Sequence, residues 1–159
     1  MPGAGKSTVG VLLAKLGSLR FVDTDLDIQV RAHATLQQIL ERDGYLRLRA
    51  LEQEVVLAID LQGAVIATGG SVVYSPAAMQ RLKRAGPVVY LEADLNTLQQ
   101  RVAAAPLRGI ASDASQDFAA IFAERTPLYR GYADLAMDVT RHTPDAVAAS
   151  ILAALGWPG

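Results

Sequence analysis

The sequence predicts an α/β fold of three layers, with helices on both faces of a parallel sheet. Two observations support this prediction. Short apolar runs alternate with helical patterns along the chain, as in folds that connect parallel strands through helices. The runs are continuously apolar, which is typical of strands buried on both faces. The 159 residues contain no repeat, low-complexity tract or linker, and we expect a single domain spanning 1–159.

The first half of the chain is expected to alternate helices with two short strands. Gly17 is suited to end the first helix, and Thr35 is suited to cap a later one. The predicted elements are a helix at 7–16, a strand at 20–23, a helix marked by Leu36, Ile39 and Leu40, a long helix at 45–61 and a strand at 64–67.

The second half continues the alternation around one long connection. The predicted elements are a helix at 76–84, strand 87–91, helix 95–104, helix 117–129, strand 135–139 and a closing helix at 144–155. The stretch from 105 to 116 is polar and irregular. Long connections in compact domains are often lids, and we expect this stretch to be one.

Composition excludes several classes of function. The net charge of −1 gives no global field that would attract nucleic acid or an anionic membrane, and no apolar run is long enough to span a bilayer. Cysteine is absent, which excludes disulfides and thiolate metal sites. This absence is compatible with the cytoplasm, which we expect as the location. No feature predicts a protein partner, so we expect a monomer.

The clearest motif lies at the start of the chain, in Gly3-Ala4-Gly5-Lys6-Ser7-Thr8. It matches the end of the phosphate-binding pattern G-x-x-x-x-G-K-[ST]. Glycines let backbone N–H groups surround phosphate oxygens, and a helix N-terminus adds a positive dipole. We expect Lys6 to reach the β- and γ-phosphates of a nucleoside triphosphate and the Ser7 hydroxyl to bind Mg²⁺. The alternative is a glycine-rich cap on an ordinary helix.

Two polar groups follow predicted strands, where ligands bind in such sheets. In an extended Asp23-Thr24-Asp25 segment, the two carboxylates would share a face. One could hold Mg²⁺ and the other could accept a proton from a substrate hydroxyl; the alternative is a turn and helix cap. Gly69 and Gly70 could offer backbone amides to an anionic or hydroxylated substrate, or could form a simple turn.

Four arginines are candidates for anion binding. Arg49 lies three residues before Glu52, so the two could pair on a helix surface. A guanidinium such as that of Arg49 or Arg125 also suits bidentate capture of a carboxylate. Arg108 lies in the irregular stretch and could close over a transferring phosphate, whereas Arg101 could stack on adenine or pair with a helix C-terminus. The alternative for Arg49 and Arg125 is a solvated surface charge.

Other reactive residues carry no recognisable site. His33 and His142 have no metal-binding spacing. Ser71 and Ser75 have no nearby histidine, so no nucleophilic triad is predicted.

These segments together resemble the shikimate kinase family over nearly the whole chain. Their order and spacing are far more specific than any single motif. The matching segments are 3–10, 21–25, 48–52, 68–70, 98–101, Arg108, 125–129 and 133–134.

The resemblance implies a fold of the P-loop kinase type, like that of nucleoside monophosphate kinases. This fold has a five-stranded parallel sheet, a helical substrate-binding region at about 26–62 and a lid at about 105–116. It also implies ATP-dependent phosphorylation of the 3-hydroxyl of shikimate, a step toward aromatic amino acids.

The resemblance further implies roles for individual residues. Lys6 and Ser7 would serve phosphate and Mg²⁺, with Asp23 beside the metal. Asp25 would hold the substrate hydroxyls and act as base. The substrate carboxylate would be held by Arg49, Arg125, Gly69 and Gly70. Arg108 would be the cation of the lid, and Arg101 would lie near the adenine.

The sequence departs from the family pattern in three places. Ser71 stands where a third glycine is usual, and Gly109 follows Arg108 where proline is usual. The first glycine of the loop and the strand before it would precede Met1, so we expect a start further upstream and a weakly stable, weakly active chain from Met1. These departures leave two alternatives: a kinase for another hydroxylated acid such as gluconate, and a catalytically impaired nucleotide-binding protein.

Overall fold

The computed structural model describes residues 1–105, 109–113 and 115–157. Within them, seven helices, four strands and a short 3₁₀ turn at Val72–Tyr74 alternate along the chain. In order, the helices and strands are α1 (Lys6–Leu16), β1 (Arg20–Asp23), α2 (Thr24–Ala32), α3 (Leu36–Ala58), β2 (Ala64–Ala67), α4 (Pro76–Ala85), β3 (Val89–Glu92), α5 (Leu95–Ala103), α6 (Phe118–Tyr132), β4 (Leu135–Asp138) and α7 (Pro144–Ala154).

Within the described ranges all strand pairing is parallel, as predicted, and occurs in two separate pairs. β1 pairs with β2, which places Asp23 opposite Ala67. β3 pairs with β4, which places Glu92 opposite Asp138. Among the described residues no ladder joins β2 to β3. The predicted α/β class is therefore confirmed, but the sheet is divided into two halves.

An apolar cavity of about 330 Å³ is lined by both β2 and β3. Gly63 accepts a hydrogen bond from Arg20 on β1. Backbone groups in a strand alternate between its two edges, so Ala64 and Ile66 turn theirs away from β1. Leu135 on β4 donates to Val88, so Val89 likewise turns its backbone away from β4. The inner edges of both pairs therefore point to the cavity that divides the sheet.

In the part of the chain that the structure describes, the core consists of two apolar clusters. The larger one joins both faces of the β3–β4 pair to α1, α5 and α7. The smaller one joins α2 to α3 through Ile28, Ile39, Leu48 and Val55, each at most 1% exposed. This second cluster fixes the helical region that carries Arg49.

Helix ends follow local sequence signals. Thr35 forms a capping box with Gln38 at the start of α3, and Gly17 ends α1, both as predicted. The predicted helices around 36–40 and 45–61 are one element with a kink at Gly44, whose φ of 80° favours glycine. α2 was not predicted as a separate helix; Asp23 caps its first turn.

No helix in the described ranges is long and apolar enough to cross a membrane. The boundary of a single domain at 1–159 stays a prediction.

Candidate active site

The phosphate-binding loop has the backbone that its glycines predict. Gly3 and Gly5 have φ values of 79° and 82°, which glycine adopts without steric cost. Gly5 directly precedes α1 and is exposed, as are Ser7 and Thr8, whereas Ala4 is buried. The loop therefore offers open backbone N–H groups at a helix N-terminus, an arrangement suited to a phosphate group.

Lys6 lies on the first turn of α1, and its Nζ donates to the Met1 carbonyl at 2.9 Å. This contact folds the lysine side chain back over the loop. An ammonium held there stands beside the same backbone N–H groups that would face a phosphate.

Ser7 and Asp23 are brought together by α1 and β1. The Ser7 hydroxyl donates to Asp23 Oδ2 at 2.6 Å, and the other carboxylate oxygen accepts from the Asp25 backbone N–H at 3.0 Å. Asp23 therefore caps α2 and faces the loop at once. A hydroxyl and a carboxylate oxygen suit Mg²⁺, which needs few protein ligands and keeps waters. The described residues contain no cluster of three or more His, Cys, Asp or Glu that could hold a metal.

Asp25 lies in the first turn of a helix, α2, whose N-terminus Asp23 caps. Of the two interpretations that the sequence left open, the helix cap is therefore confirmed, and the extended segment with both carboxylates on one face is wrong. Because the Asp23 side chain caps α2, the helix begins at Thr24 and includes Asp25. The turn still carries the Asp25 carboxylate toward the end of β2, because a Cβ placed on Gly69 would lie 3.0 Å from Asp25 Oδ1.

The two glycines after β2 pack closely against polar side chains. A Cβ on Gly69 would overlap Glu52 Oε1, and one on Gly70 would lie 3.1 Å from Arg125 Nη1. The Gly69 N–H donates to Thr24 Oγ1 at 3.3 Å. A substrate hydrogen bond from Gly69 would require this N–H to change partners.

Arg49 and Arg125 converge on one backbone oxygen. Arg49 Nε and Arg125 Nη2 donate to the Ala111 carbonyl at 3.0 Å and 2.8 Å. The Tyr74 ring lies 3.9 Å from the Arg49 guanidinium and 5.4 Å from that of Arg125. Arg125 is only 1% exposed. A solvated surface charge, the alternative for each arginine, does not describe this pair.

The expected pairing of Arg49 with Glu52 is wrong. Within the described part of the chain, Arg49 bonds to Ala111 and Glu52 accepts from the Ser71 hydroxyl. Glu52 is 6% exposed, and burial raises the pKa of its carboxyl to about 7, with the Ser71 hydrogen bond opposing that rise. Tertiary contacts decide both partners.

Glu52 is a functional candidate that the sequence reasoning missed. A signal was present: on α3, Glu52 follows Leu48 by four residues and precedes Val55 and Val56 by three and four. All of these apolar neighbours are buried. An acid inside the apolar stripe of a helix is buried and needs a partner.

Of the two other candidate arginines, Arg101 lies in the described part of the chain and Arg108 does not. Arg101 Nη2 donates to the Val139 carbonyl at 2.9 Å, and Nη1 donates to the Gly3 carbonyl at 3.5 Å. Arg101 therefore ties the end of β4 to the phosphate-binding loop. Arg108 lies outside the described residues, as do three other positions of the expected lid or its edge, 106, 107 and 114.

Together these features define a class of enzyme. A left-handed glycine loop with a lysine and a serine opens a helix, and Asp23 and Asp25 stand beside it. A pair of arginines lies across the glycine turn from them. This is the arrangement of a P-loop phosphotransferase with a separate acceptor pocket.

The comparisons with known proteins give the family. The shikimate kinase family model matches residues 2–156, and the chain belongs to the shikimate kinase family. It is 36% identical to shikimate kinase 2 of Enterobacter sp. (strain 638) over 158 residues, which cover 96% of this chain and 90% of that protein. It is also 36% identical to shikimate kinase of Mycobacterium avium (strain 104), over 98% of this chain and 89% of that one.

Solved structures agree with this assignment. Shikimate kinase from Acinetobacter baumannii, in complex with shikimate, superposes with a TM-score of 0.84 at 30% identity, covering 97% of this chain and 88% of that one. The enzyme from Aquifex aeolicus gives a TM-score of 0.80 at 29% identity, covering 96% and 90%. The protein is therefore a phosphotransferase that uses ATP and acts on a hydroxyl group.

Proposed function

We propose that this protein transfers the γ-phosphoryl group of ATP to the 3-hydroxyl of shikimate. The observation that supports it most is the convergence of Arg49 and Arg125 on Ala111 O, because two guanidiniums at one point suit a carboxylate. The family adds shikimate as the acid in question. The same family membership favours shikimate over gluconate, and the retained acceptor residues disfavour an impaired nucleotide-binding protein.

The donor side is formed by the loop and α1. The backbone N–H groups of residues 3–8 would surround the phosphates, and Lys6 would exchange its bond to the Met1 carbonyl for phosphate oxygens. Arg101 would steady the loop through the Gly3 carbonyl, with its aliphatic stem near the adenine. Arg108 would add a cation over the transferring group.

Ser7 and Asp23 would hold Mg²⁺. Their oxygens lie 2.6 Å apart, so both fit one small cation with little change in side-chain position. The metal supplies charge neutralisation for the phosphates when bound.

The acceptor side is formed by α2, α3, α6 and the glycine turn. Arg49 and Arg125 would bind the substrate carboxylate, with Gly69 and Gly70 beneath the ring. Asp25 would accept a hydrogen bond from the reacting hydroxyl and take its proton. The hydroxyl oxygen then bonds to the γ-phosphorus in line as the bond to the β-phosphate oxygen breaks, and ADP leaves.

We further propose that the protein acts in the cytoplasm, where ATP is available, as a monomer without nucleic acid or membrane partners.

A direct assay tests the proposed function. The purified protein is incubated with ATP and Mg²⁺ and either shikimate or gluconate, and phosphorylated product is identified by mass spectrometry. We expect phosphorylated shikimate and no phosphorylated gluconate. Binding of ATP without phosphorylation of any hydroxylated acid would favour the impaired nucleotide-binding protein instead.

A further inference from the structure

Ser71, the residue that departs from the family's glycine pattern, lies beneath the acceptor pocket in contact with a buried acid. Its hydroxyl donates to Glu52 Oε2, and Ser71 and Glu52 are 3% and 6% exposed. The other Glu52 oxygen lies against Gly69, so closely that a Cβ there would overlap it. The serine therefore fixes the acid against the glycine turn.

Two carboxylates approach the position that a Cβ on Gly69 would take. Asp25 Oδ1 would lie 3.0 Å from that Cβ, and Glu52 Oε1 would overlap it. Asp25 belongs to α2, Glu52 to α3 and Gly69 to the turn after β2. The Glu52 carboxyl therefore lies beside both the glycine turn and Asp25, the proposed base.

The charges that face Glu52 come from three further helices. Asp25 on α2 raises its pKa, whereas Arg125 on α6 and Lys6 on α1 lower it. The Tyr129 hydroxyl on α6 stays neutral, because burial raises its pKa. Since the largest effect, burial, brings the pKa of Glu52 to about 7, this acid changes its charge within the working pH range of an ordinary enzyme.

We infer that Ser71 and Glu52 form a positioning pair that sets acceptor affinity, with the serine hydroxyl holding the acid beneath Gly69 and the charge of Glu52 opposing that of Arg125. This inference rests on the proposed function, because the acceptor is an anion. An ionised Glu52 partly offsets the Arg125 cation that would bind the acceptor carboxylate. When Glu52 is neutral, the positive charge of Arg125 is no longer offset by it, and Glu52 no longer repels the Asp25 carboxylate.

The first experiment needs no substrate. The carboxyl carbon of Glu52 is followed by ¹³C NMR against pH in the wild-type protein, with Glu52→Gln used to assign the signal. Because the Ser71 hydroxyl stabilises the carboxylate, Ser71→Ala is expected to move the Glu52 midpoint to higher pH. An unchanged midpoint would overturn the pairing.

Ser75→Ala is the matched control. Ser75 is another buried serine of the same turn, but its hydroxyl bonds to Gln53 and to the start of α4. Its loss should lower stability and leave the Glu52 midpoint in place. A shift equal to that of Ser71→Ala would mean that the midpoint reports general loosening, which contradicts the inference.

The second experiment measures the KM for shikimate between pH 6 and 8.5 at saturating ATP. In the wild type we expect the KM to rise with pH by about threefold to tenfold, since a coupling of half to one pKa unit corresponds to that factor. Ser71→Ala should move the rise to higher pH. Glu52→Gln, which stays neutral, should remove it at an unchanged KM for ATP.

The two ways of failing are distinguishable. If the KM for shikimate depends on pH in the same way in Glu52→Gln as in the wild type, the role in acceptor affinity is overturned and the proposed function stays intact. A wild type without turnover would reject the proposed function, and the NMR midpoints would still decide whether Ser71 and Glu52 form the pair.

Discussion

Arg49 and Arg125, 76 positions apart in the sequence, donate hydrogen bonds to the same oxygen, the carbonyl of Ala111. Two cations at one point repel each other, and the carbonyl, the Tyr74 ring and the nearby carboxyls of Glu52 and Glu124 offset this repulsion in part. Each guanidinium also keeps further N–H groups, since it carries five donors. An anion with two oxygens would relieve the repulsion, and this supports the assignment of the substrate carboxylate to the arginine pair.

Arg49→Ala should weaken acceptor binding selectively. Losing a charge-assisted hydrogen bond costs roughly 1.5–3 kcal/mol, so we expect the KM for shikimate to rise about tenfold to a hundredfold. The KM for ATP should change less than twofold, because Arg49 does not contact the phosphate-binding loop. Initial-rate kinetics with each substrate varied in turn measure both values.

Arg47→Ala is the control for that prediction. Arg47 lies on the same helix but points to solvent and pairs with Glu54, and an exposed pair contributes little. Its kinetics should match the wild type. An equal rise of both KM values in Arg49→Ala would contradict a carboxylate-binding role.

Ser7→Ala should impair use of the metal. The variant removes one of two oxygens that lie 2.6 Å apart, so we expect a higher Mg²⁺ concentration at half-maximal rate and a kcat at least about tenfold lower. The measurement is a Mg²⁺ titration at saturating ATP and shikimate. Asp27 lies in the first turn of α2 but outside this contact, so Asp27→Asn should leave the Mg²⁺ titration unchanged. If the titration of Ser7→Ala matches that of the wild type, Ser7 is not a metal ligand.

Gly69→Ala should disturb the acceptor floor and the fold together. The added Cβ would overlap Glu52 Oε1 and lie 3.0 Å from Asp25 Oδ1, so we expect a loss of about 1–3 kcal/mol in the free energy of unfolding and a higher KM for shikimate. Urea denaturation and kinetics measure the two effects. Gly131→Ala provides the opposite case, because a Cβ in this part of α6 meets no atom within 4 Å; it should be neutral or stabilising. A neutral Gly69→Ala would mean that this turn adapts easily.

Local features of the fold were well predicted from the sequence. The bounds of β1 and β2 match the strands predicted at 20–23 and 64–67, and Thr35 caps α3 as expected. These features depend on neighbouring residues alone. The pairing of β1 with β2 and of β3 with β4 was not predicted, because strand pairing depends on which strands become neighbours in space.

The residues of the site also differ in how far the sequence alone predicts them. Lys6 and Ser7 follow from a contiguous motif, whereas the convergence of Arg49 and Arg125 cannot be read from spacing and was expected only from the family resemblance. The helical interval between Arg49 and Glu52 permitted a pair that tertiary contacts replaced with Ala111 and Ser71. For Asp23 and Asp25 the sequence allowed either an extended segment or a helix cap, and the structure has the cap, with Asp25 in the first turn of α2.

Glu52→Gln should change how stability depends on pH. The pKa of Glu52 is about 7 in the folded protein, above the ordinary value of 4.5, so the folded state binds the proton more tightly than the unfolded state does. Stability from this group is therefore present below about pH 4.5 and is lost as the pH rises to about 7, by an amount on the order of 3 kcal/mol. The variant lacks this loss, because its amide does not titrate and can still accept the Ser71 hydrogen bond. Urea denaturation of both proteins at pH 5 and pH 8 gives the comparison, in which the wild type should lose more stability than the variant; equal losses would mean that Glu52 does not titrate near neutral pH in the folded protein.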